Sequence, residues 1–119
     1  MWIIDHKSGP VYKQLADQVV AKLASGEMKP GDRLPSTRDL ARDAMVNPNT
    51  VVSAYNELEA RKIIEKRRGL GSYIRDDADV GRLRLNLLVK YSNDFLRKVE
   101  SLGLTAEQAV MQLKNMRNL

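Results

Sequence analysis

Apolar residues recur at helical spacing early in the chain: Val11, Tyr12, Leu15, Ala16, Val19, Val20 and Leu23. Intervals of three and four put them on one face of a helix that begins after Pro10, and Gly26 stands where a left-handed C-cap would end it. The stretch "MKPGDRLPS" interrupts the pattern with a Pro-Gly turn, leaving Arg33-Leu34 room for only a very short strand before Pro35. A second helix is expected from Ser36, which has capping-box spacing to Asp39, a weaker partner there than Glu or Gln. Leu40, Ala41 and Ala44 give it a small apolar face that stops near Ala44. A third helix follows the Asn47-Pro48 junction, with Val51, Val52, Tyr55 and Leu58 as the buried stripe and a frayed end near Arg61-Lys62. In "IIEKRRGLGSYI" the pattern reads as a hairpin: Ile63, Ile64, Tyr73 and Ile74 are strand formers, and Arg67 to Gly71 make the connection.

From about Asp77 the character changes. Val80, Leu83, Leu87, Leu88, Tyr91, Phe95, Val99 and Leu102 form a sustained helical stripe that Gly103 ends. Thr105 and Gln108 have true capping-box spacing and open a last helix carrying Ala106, Ala109, Val110, Leu113 and Met116. The expected fold class is therefore mostly α with a small β-hairpin. Residues 1–76 form a winged helix-turn-helix, and residues 77–119 a two-helix tail.

The Asn47-Pro48 junction is the sharpest local signal. Proline breaks a helix interior, yet at the first helical position its missing N–H costs nothing and its fixed φ is preorganised. Asparagine just before it is a strong N-cap. The helix thus starts abruptly, with the short, uncharged side chains of Asn49, Thr50 and Ser53 near its tip. Two short helices joined by a tight turn make a helix-turn-helix, whose second helix can enter the major groove tip first. The basic run Lys66-Arg67-Arg68-Gly69 then has the form of a wing lying on phosphates, with Gly69 and Gly71 allowing a tight turn and close approach.

Charge supports a polyanionic partner. The net charge of +5 is concentrated early: residues 1–75 hold 13 Lys/Arg against 9 Asp/Glu, and residues 76–119 hold 7 against 6. A basic bias of this kind suits nucleic acid. The 119 residues and 43% hydrophobic content suit one modest domain with an appendage. No run of about 18 apolar residues marks a membrane span, and the N-terminus lacks the layout of a signal peptide. Cysteine is absent, so no disulfide framework or thiolate metal site is expected, and a cytoplasmic location is the default. An enzyme is not expected. The single histidine, His6, precedes the first helix, and there is no Gly-rich phosphate loop or paired-histidine metal motif. No metal, cofactor or effector site is singled out.

The stretch "MKPGDRLPSTRDLARDAMVNPNTVVSAYNELEARKIIEKRRGLGSYI" resembles the DNA-binding domain of the GntR family of bacterial transcription regulators. It carries the family's Pro-Gly, Leu-Pro-Ser-x-Arg-x-Leu-Ala, Thr-Val and Gly-x-Gly features, and "IIDHKSGPVYKQLADQV" resembles the segment that leads into the first helix. The likeness covers nearly all of residues 4–75. The tail is too short for the family's large effector domains and is similar to the YtrA-like subfamily, in which the tail serves mainly for dimerisation.

The resemblance implies a cytoplasmic regulator, commonly a repressor, that binds a palindromic double-stranded DNA operator as a homodimer. By motif, Arg38 falls at a phosphate- and base-contacting position of the second helix, flanked by the Ser36 cap and Thr37. Asn49 and Thr50, after the Asn47 cap, match contacts at the tip of the reading helix, with Ser53 one turn on. Arg68 and Gly69 match the wing, beside Lys66 and Arg67. Many members have arginine where this chain has Pro48 and Val52, so base contacts made by those arginines do not transfer. Leu83, Leu87, Tyr91, Phe95, Val99 and Leu102 are the expected dimerisation stripe. The competing reading is a winged-helix module for sequence-tolerant nucleoid coating or protein contact, since fold does not fix function.

Overall fold

The structure is a computed structural model describing residues 2–117. Met1, Asn118 and Leu119, at the ends of the expected ranges 1–76 and 77–119, lie outside the described residues. The chain divides into two compact units, one running to Arg84 and one starting at Leu85.

In the first unit, α1 (Val11–Ser25) buries Leu15, Ala16, Val19, Val20, Leu23 and Ala24. Gly26 ends it at φ 86°, the left-handed conformation that glycine takes without steric cost. Helix α2 (Thr37–Ala44) starts at the Ser36 cap, whose hydroxyl accepts from the Asp39 N–H at 3.1 Å. The Asp39 carboxylate bonds Arg42 at 3.1 Å, so this end has a serine cap while Asp39 serves an ion pair. Helix α2 closes on Met45 in the left-handed region, with the Val46 N–H donating back to the Ala41 carbonyl at 2.9 Å.

Helix α3 (Pro48–Ala60) packs against both α1 and α2. Its buried face is Val51, Ala54, Tyr55 and Leu58. Here the expected stripe needs correction, because Val52 is 39% exposed and Ala54 is buried in its place. At about 100° per residue, Val52 lies a quarter-turn off the axis set by Val51, Tyr55 and Leu58, whereas Ala54 lies nearer to it, about 65° off on the other side.

The wing is a two-stranded antiparallel hairpin, β1 (Ile64–Arg67) and β2 (Gly71–Ile74), in the register Ile64↔Ile74 to Arg67↔Gly71. Arg67 and Gly71 thus close the ladder, and the connection is residues 68–70. The short strand expected at Arg33-Leu34 is a single bridge, Arg33 to Tyr73, with the Leu34 N–H donating to the Ser72 carbonyl at 2.8 Å. Leu34, Ile63, Ile64 and Ile74 are buried and complete the core, with β1 packed against α3.

Two long-range ties complete this unit. Gln14 and Gln18, one turn apart on α1, hold the segment before it in paired backbone bonds. Gln14 bonds the N–H and carbonyl of Asp5, and Gln18 those of Ile3. Lys22, one further turn along, lies over the Trp2 ring at 4.9 Å. Arg84, near the start of α4 (Val80–Ser101), donates from Nε to the Ala24 carbonyl at 2.8 Å. A cation at the last turn of α1 is favoured by the exposed carbonyls there.

The second unit contains the rest of α4 and α5 (Ala106–Arg117). Gly103, at φ 79°, separates the helices. The capping box of α5 is reciprocal. The Thr105 N–H donates to Gln108 Oε1 at 2.8 Å, and the Gln108 N–H to Thr105 Oγ1 at 3.2 Å. Among the described residues of the tail helices only Val99 and Ala109 are buried. No helix of the described residues is long and apolar enough to cross a membrane.

Candidate nucleic-acid interface

Two constraints fix where α3 begins. Asn47 Oδ1 accepts from the Asn49 N–H at 2.8 Å, and the Asn47 carbonyl accepts from the Thr50 N–H at 2.9 Å. Pro48 occupies the first helical position, where no N–H is needed. A third tie sits mid-helix: the buried Tyr55 hydroxyl donates to the Pro35 carbonyl at 2.6 Å. It joins α3 to the residue preceding the α2 cap, and burial pushes the phenol's pKa up. The tip of α3 is therefore held in register with the start of α2.

The outward stripe of α3 is Asn49, Val52, Ser53 and Asn56, at i, i+3, i+4 and i+7, and all four are exposed. It carries no charge. Thr50 is half-buried and lies on the flank toward α1. There, with Val11, Tyr12, Asn49 and Ser53, it lines an open groove of about 250 Å³. Asn56, which is not among the contact residues expected from sequence, stands two helical turns from Asn49 on the same stripe.

Ion pairing separates the cations into two groups. Arg67 is fully engaged: it lies 3.2 Å from Glu65 and 3.6 Å from Asp76, and its guanidinium covers the Tyr73 ring at 4.2 Å. Arg42 pairs with Asp39 and lies 3.9 Å from Asp43. Arg75 forms a two-pronged bond to Asp77, which holds that carboxyl below its ordinary pKa. The acids near α2 and the wing are thus largely matched. Arg38, Lys66 and Arg68 are exposed and show no ion pair among the described residues. Arg33, not singled out from sequence, lies close over the Gly71 backbone, where a Cβ would come within 3.3 Å of its guanidinium. Gly69, at φ 74°, makes the turn, and the Leu70 N–H closes it on the Arg67 carbonyl at 2.8 Å.

A capped helix with an uncharged polar stripe, set beside a hairpin with free cations, is suited to polyanion binding. Residues 11–74 match the family described as bacterial regulatory proteins, gntR family. The chain belongs to the GntR family.

Individual proteins extend the likeness to the tail. The chain is 40% identical over 108 residues to the uncharacterized HTH-type transcriptional regulator YhcF of Bacillus subtilis, covering 90% of this chain and 89% of that one. It is 50% identical over 76 residues to the HTH-type transcriptional repressor YtrA of the same organism, covering 63% and 58%. A GntR family transcriptional regulator from Listeria monocytogenes has the same fold, with a TM-score of 0.85 at 32% identity over 94% of this chain and 98% of that one. GntR proteins are DNA-binding transcription regulators, and this chain is a regulator of that kind, not an enzyme.

Proposed function

We propose that the protein is a cytoplasmic repressor that binds a palindromic operator as a homodimer. The observation that carries this reading is the outward stripe of α3: polar, uncharged and mounted on a helix start held by a cap, a proline and the Tyr55 tie. Short amide and hydroxyl side chains in that setting can hydrogen-bond base edges in the major groove. On this reading Asn49, Ser53 and Asn56 face bases, and Thr50 and the groove beside it take the backbone at the helix tip. Asn47 and Gly69 hold the local geometry. Ser36, Thr37 and Arg38 approach a phosphate from the start of α2, where backbone N–H groups favour an anion. Lys66 and Arg68 contact the backbone from the wing, and Arg67 braces it.

The dimer is argued from the tail. Tyr91, Phe95 and Leu102 of the expected stripe are 55%, 42% and 75% exposed, and Leu88, Leu85, Val89, Val110, Met111, Leu113 and Met116 are exposed as well. Leu83 and Leu87 are half-buried. Apolar surface on that scale is rarely left in water, and a twofold pairing of two tails would cover it while presenting two reading helices to two half-sites. The name of the B. subtilis repressor YtrA supports repression as the mode.

Selection of bound sequences from a random double-stranded pool tests the reading. A palindrome with half-sites about one helical turn apart is expected. Asn49→Ala should then cost about 1–3 kcal/mol of discrimination at one base pair per half-site with thermal unfolding unchanged. Binding that enriches no sequence, and that falls with salt equally on all DNA, would support sequence-tolerant coating instead.

A further inference from the structure

Val52 stands off the buried face of α3. It is 39% exposed on α3, while the buried face is complete in Val51, Ala54, Tyr55 and Leu58. β-Branched residues are weak helix formers, so an exposed helical site with only structural duties would favour a straight-chain or polar residue. Val52 is also the one apolar member of the exposed stripe Asn49, Val52, Ser53 and Asn56. Its neighbours, three residues before and four after, are both asparagines, the side chain whose amide matches the N6 and N7 edge of adenine. The major-groove feature that an apolar side chain matches is the C5-methyl of thymine.

We propose that Val52 is a specificity-determining residue that reads a thymine methyl in each operator half-site, next to base pairs read by Asn49 or Asn56. The inference rests on the proposed operator-binding function. It further assigns a chemical identity to one base position. A methyl buried against Val52 leaves water, which corresponds to roughly fourfold in affinity for each methyl. Symmetric positions in two half-sites compound to on the order of fifteenfold. No charge is involved, so the discrimination should not change with salt.

The test uses the full chain and its selected operator. Each symmetric pair of thymines is replaced in turn by deoxyuracil, which removes both methyls and keeps the base-pairing edge. The expected result is one symmetric pair of thymines at which the protein loses about fifteenfold and Val52→Ala loses less than twofold. Val52→Thr, similar in shape but bearing a hydroxyl, should fall between them. Thermal unfolding of both variants reports whether α3 remains folded. An operator bound tightly but indifferent to every thymine methyl would overturn the inference alone. So would a methyl effect of equal size in the protein and in Val52→Ala, because another side chain would then read the methyl. A random pool that yields no preferred sequence would overturn the operator-binding reading, and this inference with it.

Discussion

Three consecutive cations in the wing look interchangeable, and the structure predicts that they are not. Arg67 is held by Glu65, Asp76 and the Tyr73 ring, whereas Lys66 and Arg68 are exposed and show no ion pair among the described residues. The perturbations are Arg67→Ala on one side and Lys66→Ala with Arg68→Ala on the other. Each phosphate contact adds about 0.9 to the slope of log affinity against log salt on duplex DNA. Two free cations on each of two protomers make four contacts, so the double variant should flatten the slope by about 3.6. Between 50 and 200 mM salt this amounts to roughly a hundredfold in the loss of affinity that the unmodified protein suffers and the variant does not. Arg67→Ala should leave the slope nearly unchanged and act on the hairpin. The ring contact contributes about 0.5–1 kcal/mol at a partly exposed site, and the two ion pairs add little because they face solvent. A loss near 1 kcal/mol lowers the unfolding midpoint of a domain this size by about 4–8 °C. Fluorescence anisotropy with labelled operator at five salt concentrations, together with thermal unfolding by circular dichroism, separates the two outcomes. If Arg67→Ala flattens the slope as much as Arg68→Ala does, the ion-pair argument is wrong.

Tyr55→Phe should cost about 1 kcal/mol, the net contribution of one internal hydrogen bond. It should also change the response to alkali. Burial raises the Tyr55 pKa in the fold, so the neutral phenol's contribution is complete below the ordinary tyrosine value near 10 and is lost as pH rises beyond it; the stability difference between the protein and Tyr55→Phe should therefore shrink above about pH 10. A difference that stays constant from pH 8 to 11 would show that the phenol is not a titrating tie. In the tail, Leu87→Asp with Phe95→Asp should give a monomer by sedimentation velocity, with operator affinity collapsed and the winged helix still folded. An unmodified protein already monomeric at micromolar concentration, with full operator binding, would remove the tail from the assembly.

Features set by neighbours in the chain were the legible ones. The Asn47-Pro48 start, the Gly26 end and the Thr105–Gln108 box each depend on residues within four positions, and each stands as expected. Val52 has the apolar character of a core residue but the wrong angular phase, and an alanine occupies the core position instead. Asp39 did not complete its box because Arg42 lies within reach on the same face. Distant ties left no local signal. Arg84 reaches a carbonyl 60 residues away, and Tyr55 one 20 residues away. Arg67 could not be told from Lys66 and Arg68, since two of its three partners, Asp76 and the Tyr73 ring, lie beyond the turn of the strand pair. The glutamine clamp did have a signal, Gln14 and Gln18 one turn apart, but it is an ordinary spacing for two surface residues.

The placement of charge has a consequence for how affinity and discrimination are divided. On the proposed reading the free cations sit on the wing and at the start of α2, and the outward stripe of α3 has none. Phosphate contacts are blind to sequence and respond steeply to salt, whereas base-edge hydrogen bonds and methyl contacts respond weakly to it. A cation on the reading helix would serve both tasks at once, because it is attracted to any duplex before it finds its guanine. With valine and asparagines there instead, the helix adds little to binding on the wrong sequence. What it adds on the right one comes from fit, which demands that the helix tip be well placed. The Asn47 cap, Pro48 and the Tyr55–Pro35 bond supply that placement, so substitutions in these three should harm discrimination more than they harm the salt-dependent attraction supplied by the wing.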